Sequence, residues 1–166
     1  MSASPLISLR DSLNQRRQEA IGQFREHLRP ETLLTALRRA TDQALRELIK
    51  LYPLPAQATL AAVGGYGRGE LYPHSDIDVL ILLATSPSDT DTAQLEALVA
   101  ALWDLGLDLG HSVRTIADCQ REAANDITVE TSLMEARWLA GSKDLLHALM
   151  HAMHEQLGAQ TFFQAQ

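Results

Sequence analysis

Four glycines and two aspartates lie close enough together in this sequence to do chemistry. The run Val63-Gly64-Gly65-Tyr66-Gly67-Arg68-Gly69-Glu70 follows a short apolar stretch. Without side chains, Gly64, Gly65, Gly67 and Gly69 let backbone N–H groups approach an anion closely, as a phosphate site requires. Seven residues past the last of these glycines come Asp76 and Asp78, which flank Ile77 and lead into Val79-Leu80-Ile81-Leu82-Leu83. Two residues apart at the entry to a strand, the carboxylates share one face. At ~4 Å and an effective dielectric near ~20 they repel by ~4 kcal/mol, which a divalent cation offsets. Mg2+ is held by one or two carboxylates plus substrate phosphates, and a metal pair stabilises both oxygens of an in-line displacement. A phosphate-cradling turn beside paired carboxylates therefore points to nucleotidyl transfer.

Other phosphate motifs fit poorly. No Gly-Lys-Ser/Thr follows the glycines, and Glu70 stands where a dinucleotide fingerprint needs its last glycine. A third carboxylate is needed to fix the metal that activates the acceptor hydroxyl. Asp108, in the strand-like stretch Leu107-Asp108-Leu109-Gly110-His111-Ser112-Val113-Arg114, is the best-placed candidate, and alternation puts Gly110, Ser112 and Arg114 on its side. Asp104, on the preceding helix, is the fallback.

The elements that must position these residues follow from periodicity. Sparse apolar residues from Leu6 to Leu28 fit a helix. Pro30 and Glu31 open a stronger one, with Leu33, Leu34, Leu37, Ala40, Leu45, Leu48, Ile49 and Tyr52 on one face, ended by Pro53 and Pro55. A strand over Thr59–Val63, the glycine loop Gly64–Gly69, a polar turn at Pro73–Ser75 and a strand over Ile77–Leu83 form the chemical centre. A helix capped by Asp89 or Asp91 carries Leu95, Leu98, Val99, Leu102 and Trp103 to Gly106, and a third strand runs from Leu107 to Arg114. Thr115, with Asp118 three residues on, resembles a helix start, and further helices are expected over Asp126–Leu139 and Ser142–Leu157. Gln156 to Gln166 shows no closing structure, which suggests a piece of a longer protein. The expected fold is α/β (α+β): a small mixed sheet with helices on one face, an N-terminal helical region (1–55), a nucleotidyltransferase core (56–125) and a C-terminal helical extension (126–166) that closes over the nucleotide.

Bulk properties narrow the partners. The net charge of −7 argues against stable nucleic-acid binding, which depends on Lys and Arg displacing counterions. Cys119 is the only cysteine, so no internal disulfide forms and a reducing cytoplasm fits. Neither a signal peptide nor a membrane-spanning run of ~18 apolar residues is apparent.

The run Gly64-Gly65-Tyr66-Gly67-Arg68-Gly69-Glu70-Leu71-Tyr72-Pro73-His74-Ser75-Asp76-Ile77-Asp78 resembles the signature of the DNA polymerase β nucleotidyltransferase superfamily, and within it the bifunctional PII uridylyltransferase/uridylyl-removing family. Residues 102–115 and 133–141 resemble the same family. The resemblance implies UTP as donor, pyrophosphate as leaving group, a tyrosine hydroxyl of the PII nitrogen-signalling protein as acceptor, and Mg2+ or Mn2+ as cofactor. It further implies that Gly64 and Gly65 hold the triphosphate, that Asp76, Asp78 and Asp108 bind metal, and that Arg68 and Ser75 touch phosphate. Members of that family add an HD-type hydrolase domain and paired glutamine-sensing ACT domains, whereas this chain has no His-Asp dipeptide. The removal activity is therefore not expected in these residues.

Two other functions fit the same residues: a related nucleotidyltransferase with a different acceptor, and a nucleotide-binding regulatory module with little turnover. Elsewhere the plainer readings prevail. His111 faces away from Asp108 and reads as a packing residue. His147, His151 and His154 lack the Glu of a His-Glu-x-x-His zinc motif and read as a solvated helix face. Arg10, Arg16, Arg17, Arg25, Arg38, Arg39 and Arg46 read as outward helix charges, and Cys119 as a partly buried helix residue without an activating neighbour.

Overall fold

The computed structural model describes residues 3–165. Two long helices, α1 (Pro5–His27) and α2 (Pro30–Leu51), begin the chain. Each has proline in its first turn, where the missing N–H costs nothing. The strong periodicity of α2 becomes burial: Leu37, Leu45 and Leu48 are fully covered, each contributing about 1.5–3 kcal/mol. Strand β1 (Thr59–Ala62) leads into a single helical turn, α3 (Gly64–Gly67), and then into β2 (Ile77–Leu83). Helix α4 (Asp89–Asp104) crosses to β3 (Leu109–Thr115), and α5 (Ile116–Asn125), α6 (Ile127–Met134), β4 (Arg137–Gly141) and α7 (Lys143–Gln164) follow.

The four strands form one mixed sheet in the order β3-β2-β1-β4. β1 is antiparallel to both β2 and β4, and β2 is parallel to β3 through the α4 crossover, the connection that parallel strands require. Alternation along the strands supplies two cores. Leu60, Ala62, Ile77, Val79 and Ile81 join the apolar faces of α1, α2 and α4. Ala61, Val63, Leu80 and Leu82 join Cys119 and Ala123 of α5, Leu133 of α6, and Leu146, Leu149 and Met153 of α7.

Several expectations are corrected here. Helices cover both sheet faces rather than one, because β1 and β2 are apolar at nearly every position and need cover on each side. The first four residues of the expected glycine loop form the helical turn α3. The expected helix over Asp126–Leu139 stops at Met134, and residues 137–141 become a sheet strand beside β1. Pairing decides this, since Leu139 reaches a fully buried position in the first core. Helix α4 is capped by Ser88, with Asp91 completing the capping box from inside the helix. The tail belongs to α7, which runs to Gln164. The helix start expected at Thr115 is present, and Thr115 and Asp118 form a capping box there.

Candidate active site

Of the seven residues of β2, Asp78 is the one that stays exposed. It lies on the sheet face of Leu80 and Leu82, beyond the edge of the second core. The parallel register sets Gly110 of β3 directly beside it. A Cβ at Gly110 would overlap Asp78 Oδ1, so the missing side chain gives the carboxylate its room. Burial first, and the charge of Asp76 second, push the Asp78 carboxyl above its ordinary value.

The glycine turn meets the same carboxylate from β1. Gly64 has φ +59°, and a Cβ there would stand 3.5 Å from Ser132 Oγ and 3.8 Å from Asp78 Oδ2. Turn, carboxylate and α6 hydroxyl therefore converge. As the first residues of a helical turn, Gly64 and Gly65 have no carbonyl one turn earlier to receive their N–H groups. Beside them opens a hollow of about 350 Å³, lined by Asp78, Gly110, Ser112, Arg114, Thr128 and Ser132 among others. Gly110, Ser112 and Arg114, expected on the side of Asp108, line this hollow beside Asp78, whereas Asp108 does not. Thr128 and Ser132 of α6 were not foreseen, and no spacing in an expected plain helix marks them.

The other site residues lie around this centre. Asp76 is exposed just before β2. Asp108 precedes β3, its carbonyl accepting the Ile77 N–H at 2.8 Å. Its side chain lines a second hollow of about 560 Å³, together with Arg17, His74, Ser75 and Ile77. Among the described residues, no three His, Cys, Asp or Glu side chains gather closely enough to hold a metal between them. Asp76 and Asp78 fit a hard divalent cation that completes its shell with substrate oxygens. Arg68 is held by Glu70 at 3.1 Å and Glu135 at 2.5 Å. Ser75 Oγ accepts the Tyr72 N–H at 2.9 Å, which fixes the turn ahead of Asp76.

The His111 ring stands edge-on to Trp103 at 6.1 Å, but it is exposed and lines the hollow beside Asp78 rather than packing in a core. His147, His151 and His154 are all exposed on α7. Arg17, expected to point outward, is instead half-buried and donates to the Pro73 carbonyl at 2.8 Å.

A glycine turn abutting a carboxylate at the start of a strand, with a second carboxylate two residues before it, is an arrangement suited to nucleotidyl transfer. The chain belongs to the family described as "Nucleotidyltransferase domain", which matches residues 41–136. Its sequence is similar to the bifunctional uridylyltransferase/uridylyl-removing enzyme of Bordetella parapertussis, with 65% identity over 160 residues that cover 96% of this chain and 18% of that protein. The enzyme of the same description from Bordetella avium is 58% identical over 165 residues, 99% of this chain and 19% of the relative. The chain thus spans less than a fifth of the length of these relatives. Among solved structures, a chain from a crystal structure of a toxin-antitoxin with AMP-PNP overlaps 75% of this chain and 90% of its own length, at a TM-score of 0.43 and 16% identity. No helix among the described residues is long and apolar enough to cross a membrane.

Proposed function

We propose that this chain transfers UMP from UTP to a protein hydroxyl, a tyrosine of the PII nitrogen-signalling protein, and releases pyrophosphate in the cytoplasm. The observation that carries the reading is the convergence of Gly64, Asp78 and Ser132 beside the hollow that Gly110 leaves open. Family membership supports nucleotidyl transfer, and similarity to uridylyltransferases supports UTP and PII. In this reading the N–H groups of Gly64 and Gly65 hold the triphosphate. Asp76 and Asp78 hold Mg2+ or Mn2+, which when bound neutralises phosphate charge and favours the ionised acceptor. Asp108 is the third carboxylate of this reading, fixing the metal that activates the acceptor hydroxyl, although it lines the second hollow and not the one beside Asp78. Ser75 keeps its hydroxyl hydrogen available to a phosphate, while Arg68 reaches one only by exchanging a carboxylate partner.

The test is pyrophosphate release from UTP with purified PII protein and Mg2+ or Mn2+, repeated with ATP, CTP and GTP and with Asp76→Ala and Asp78→Ala. UTP-selective release that either substitution abolishes, with UMP found on PII, is the expected result. Release with another nucleotide or acceptor points to a different member of the same family. Tight binding of UTP and metal without release identifies a nucleotide-binding module, and no nucleotide binding at all sinks the site.

A further inference from the structure

The structure buries one ion pair that nucleotidyl transfer leaves unexplained. Asp42 of α2 lies in the apolar face of its helix and is buried. Arg137, the first residue of β4, donates from Nη1 to Asp42 Oδ2 at 2.6 Å and from Nη2 to Asp42 Oδ1 at 3.2 Å. The Tyr66 hydroxyl donates to Asp42 Oδ1 at 2.6 Å. Arg137 also reaches the glycine turn itself: Nη2 donates to the Tyr66 carbonyl at 3.1 Å and Nε to the Gly67 carbonyl at 3.3 Å. Its guanidinium lies 5.1 Å from the Tyr66 ring centroid. One side chain thereby ties α2, α3 and β4 together.

For stability alone this is a poor choice, because apolar residues of similar volume commonly do as well as a buried ion pair. What the pair provides is geometry. A planar guanidinium offers fixed donors in several directions at once, and an ammonium does not. Here the Nη1–Nη2 edge meets the Asp42 carboxylate, while Nη2 and Nε also meet two successive carbonyls of the turn. Those peptide planes carry the Gly67 and Arg68 N–H groups, which donate to the Val63 and Gly64 carbonyls at 3.1 and 3.0 Å, and the planes of these carbonyls carry in turn the Gly64 and Gly65 N–H groups. The turn is also held from below, since a Cβ at Gly67 would overlap the Glu135 carbonyl. Burial, and next the charge of Asp42, push the Tyr66 hydroxyl far above its usual range, so it stays a donor to Asp42.

We propose that Arg137, clamped by Asp42, is the positioning residue of the phosphate turn: by fixing the Tyr66 and Gly67 carbonyls it holds the far end of the turn, and through the turn's own hydrogen bonds the Val63 and Gly64 peptide planes whose Gly64 and Gly65 N–H groups meet the triphosphate. This rests on the nucleotidyl-transfer reading. It predicts that the pair controls nucleotide affinity more than the fold.

The test compares wild type with Arg137→Lys, Arg137→Ala and Asp42→Asn. The readouts are thermal unfolding, UTP affinity in Mg2+, and kcat and KM for UTP. Lys keeps the charge opposite Asp42 but cannot fork to both carbonyls. Arg137→Lys is expected to stay folded at the assay temperature with UTP affinity weakened on the order of 10- to 100-fold, the cost of misplacing a binding group by about 1 Å. KM should rise by a similar factor while kcat at saturation changes less. Methylguanidinium should partly restore UTP binding to Arg137→Ala, a rescue that a purely structural role would not give. Should Arg137→Lys fail to fold, Asp42→Asn carries the test, since it keeps the shape and loosens the clamp. Folded variants with wild-type UTP affinity overturn the proposal and leave nucleotidyl transfer standing. A wild-type chain that binds no nucleoside triphosphate overturns both.

Discussion

Gly110→Ala separates chemistry from stability at a single atom. Gly110 has no positive φ, so alanine suits its strand conformation. Relative to glycine, alanine should even favour the strand, by roughly 0.5–1 kcal/mol. The added methyl, however, overlaps Asp78 Oδ1, and the carboxylate end is the only group that the methyl meets closely. A side-chain end can swing away cheaply, by roughly 1 Å, to recover a contact near 3.5 Å. That displacement moves a proposed metal ligand while leaving the cores untouched. A reactive group misplaced by about 1 Å costs on the order of 100-fold in rate. The expected outcome is an unfolding midpoint equal to or slightly above wild type, together with a loss of metal-dependent pyrophosphate release of roughly 100-fold. Mn2+ titration should show weaker metal binding in the same variant. Full activity in folded Gly110→Ala would refute the reasoning, since Asp78 would then need neither its position nor the space beside it. A loss of activity matched by a lower midpoint would refute it as well, by showing that the methyl disturbs the sheet instead.

Gly67→Ala should behave in the opposite way. Its Cβ overlaps the Glu135 backbone carbonyl, which cannot swing aside, so overpacking of about 1–3 kcal/mol is expected. Differential scanning calorimetry should show a lower midpoint, and an unchanged midpoint would contradict the packing. Asp126 caps α6, and its hydrogen bonds to Thr128, from the hydroxyl first and the backbone N–H second, hold its carboxyl below the ordinary range. A depressed folded value contributes stability above the unfolded carboxyl pKa and loses it as pH falls through the folded one. Asp126→Asn should therefore flatten the acid limb of the stability–pH curve, and an unaltered limb would exclude the cap as its source. Cys119 is fully buried, and burial pushes its thiol up to about 11. Iodoacetamide at neutral pH should label it only after denaturant unfolds the chain, whereas labelling of the native protein would mean that the second core opens.

How much of this could be read from the sequence depended on whether a signal was local. The glycine run and the Asp-x-Asp pair are contiguous, and the strand following them is apolar enough to place itself. The expected strand over Ile77–Leu83 matches β2, and the helix start read at Thr115 and Asp118 is where it was expected. Strand β4 was missed because Arg137-Trp138-Leu139-Ala140-Gly141 has helical neighbours and no alternation of its own. Only pairing with β1 makes it a strand. Arg137 and Asp42 were missed for a related reason: they are 95 residues apart, and nothing local distinguishes Asp42 from an interruption of an apolar helix face. Ser132 is likewise brought beside Gly64 by the docking of α6, which no periodicity encodes.

The site sits where covering both sheet faces becomes incomplete. Along β2 every residue but one is buried, because α1, α2 and α4 cover one face and α5, α6 and α7 the other. Asp78 occupies the gap, near enough to the core for desolvation to act on its carboxyl and open enough to admit a ligand. A carboxylate two residues further along β2 would replace Leu80, which is fully buried, and would be left without solvent or partner. Two residues earlier, Asp76 lies outside the strand and lacks its fixed register. The position of Asp78 thus follows from where helical cover ends. The apolar pattern of β2, so legible in the sequence, is what locates the candidate site.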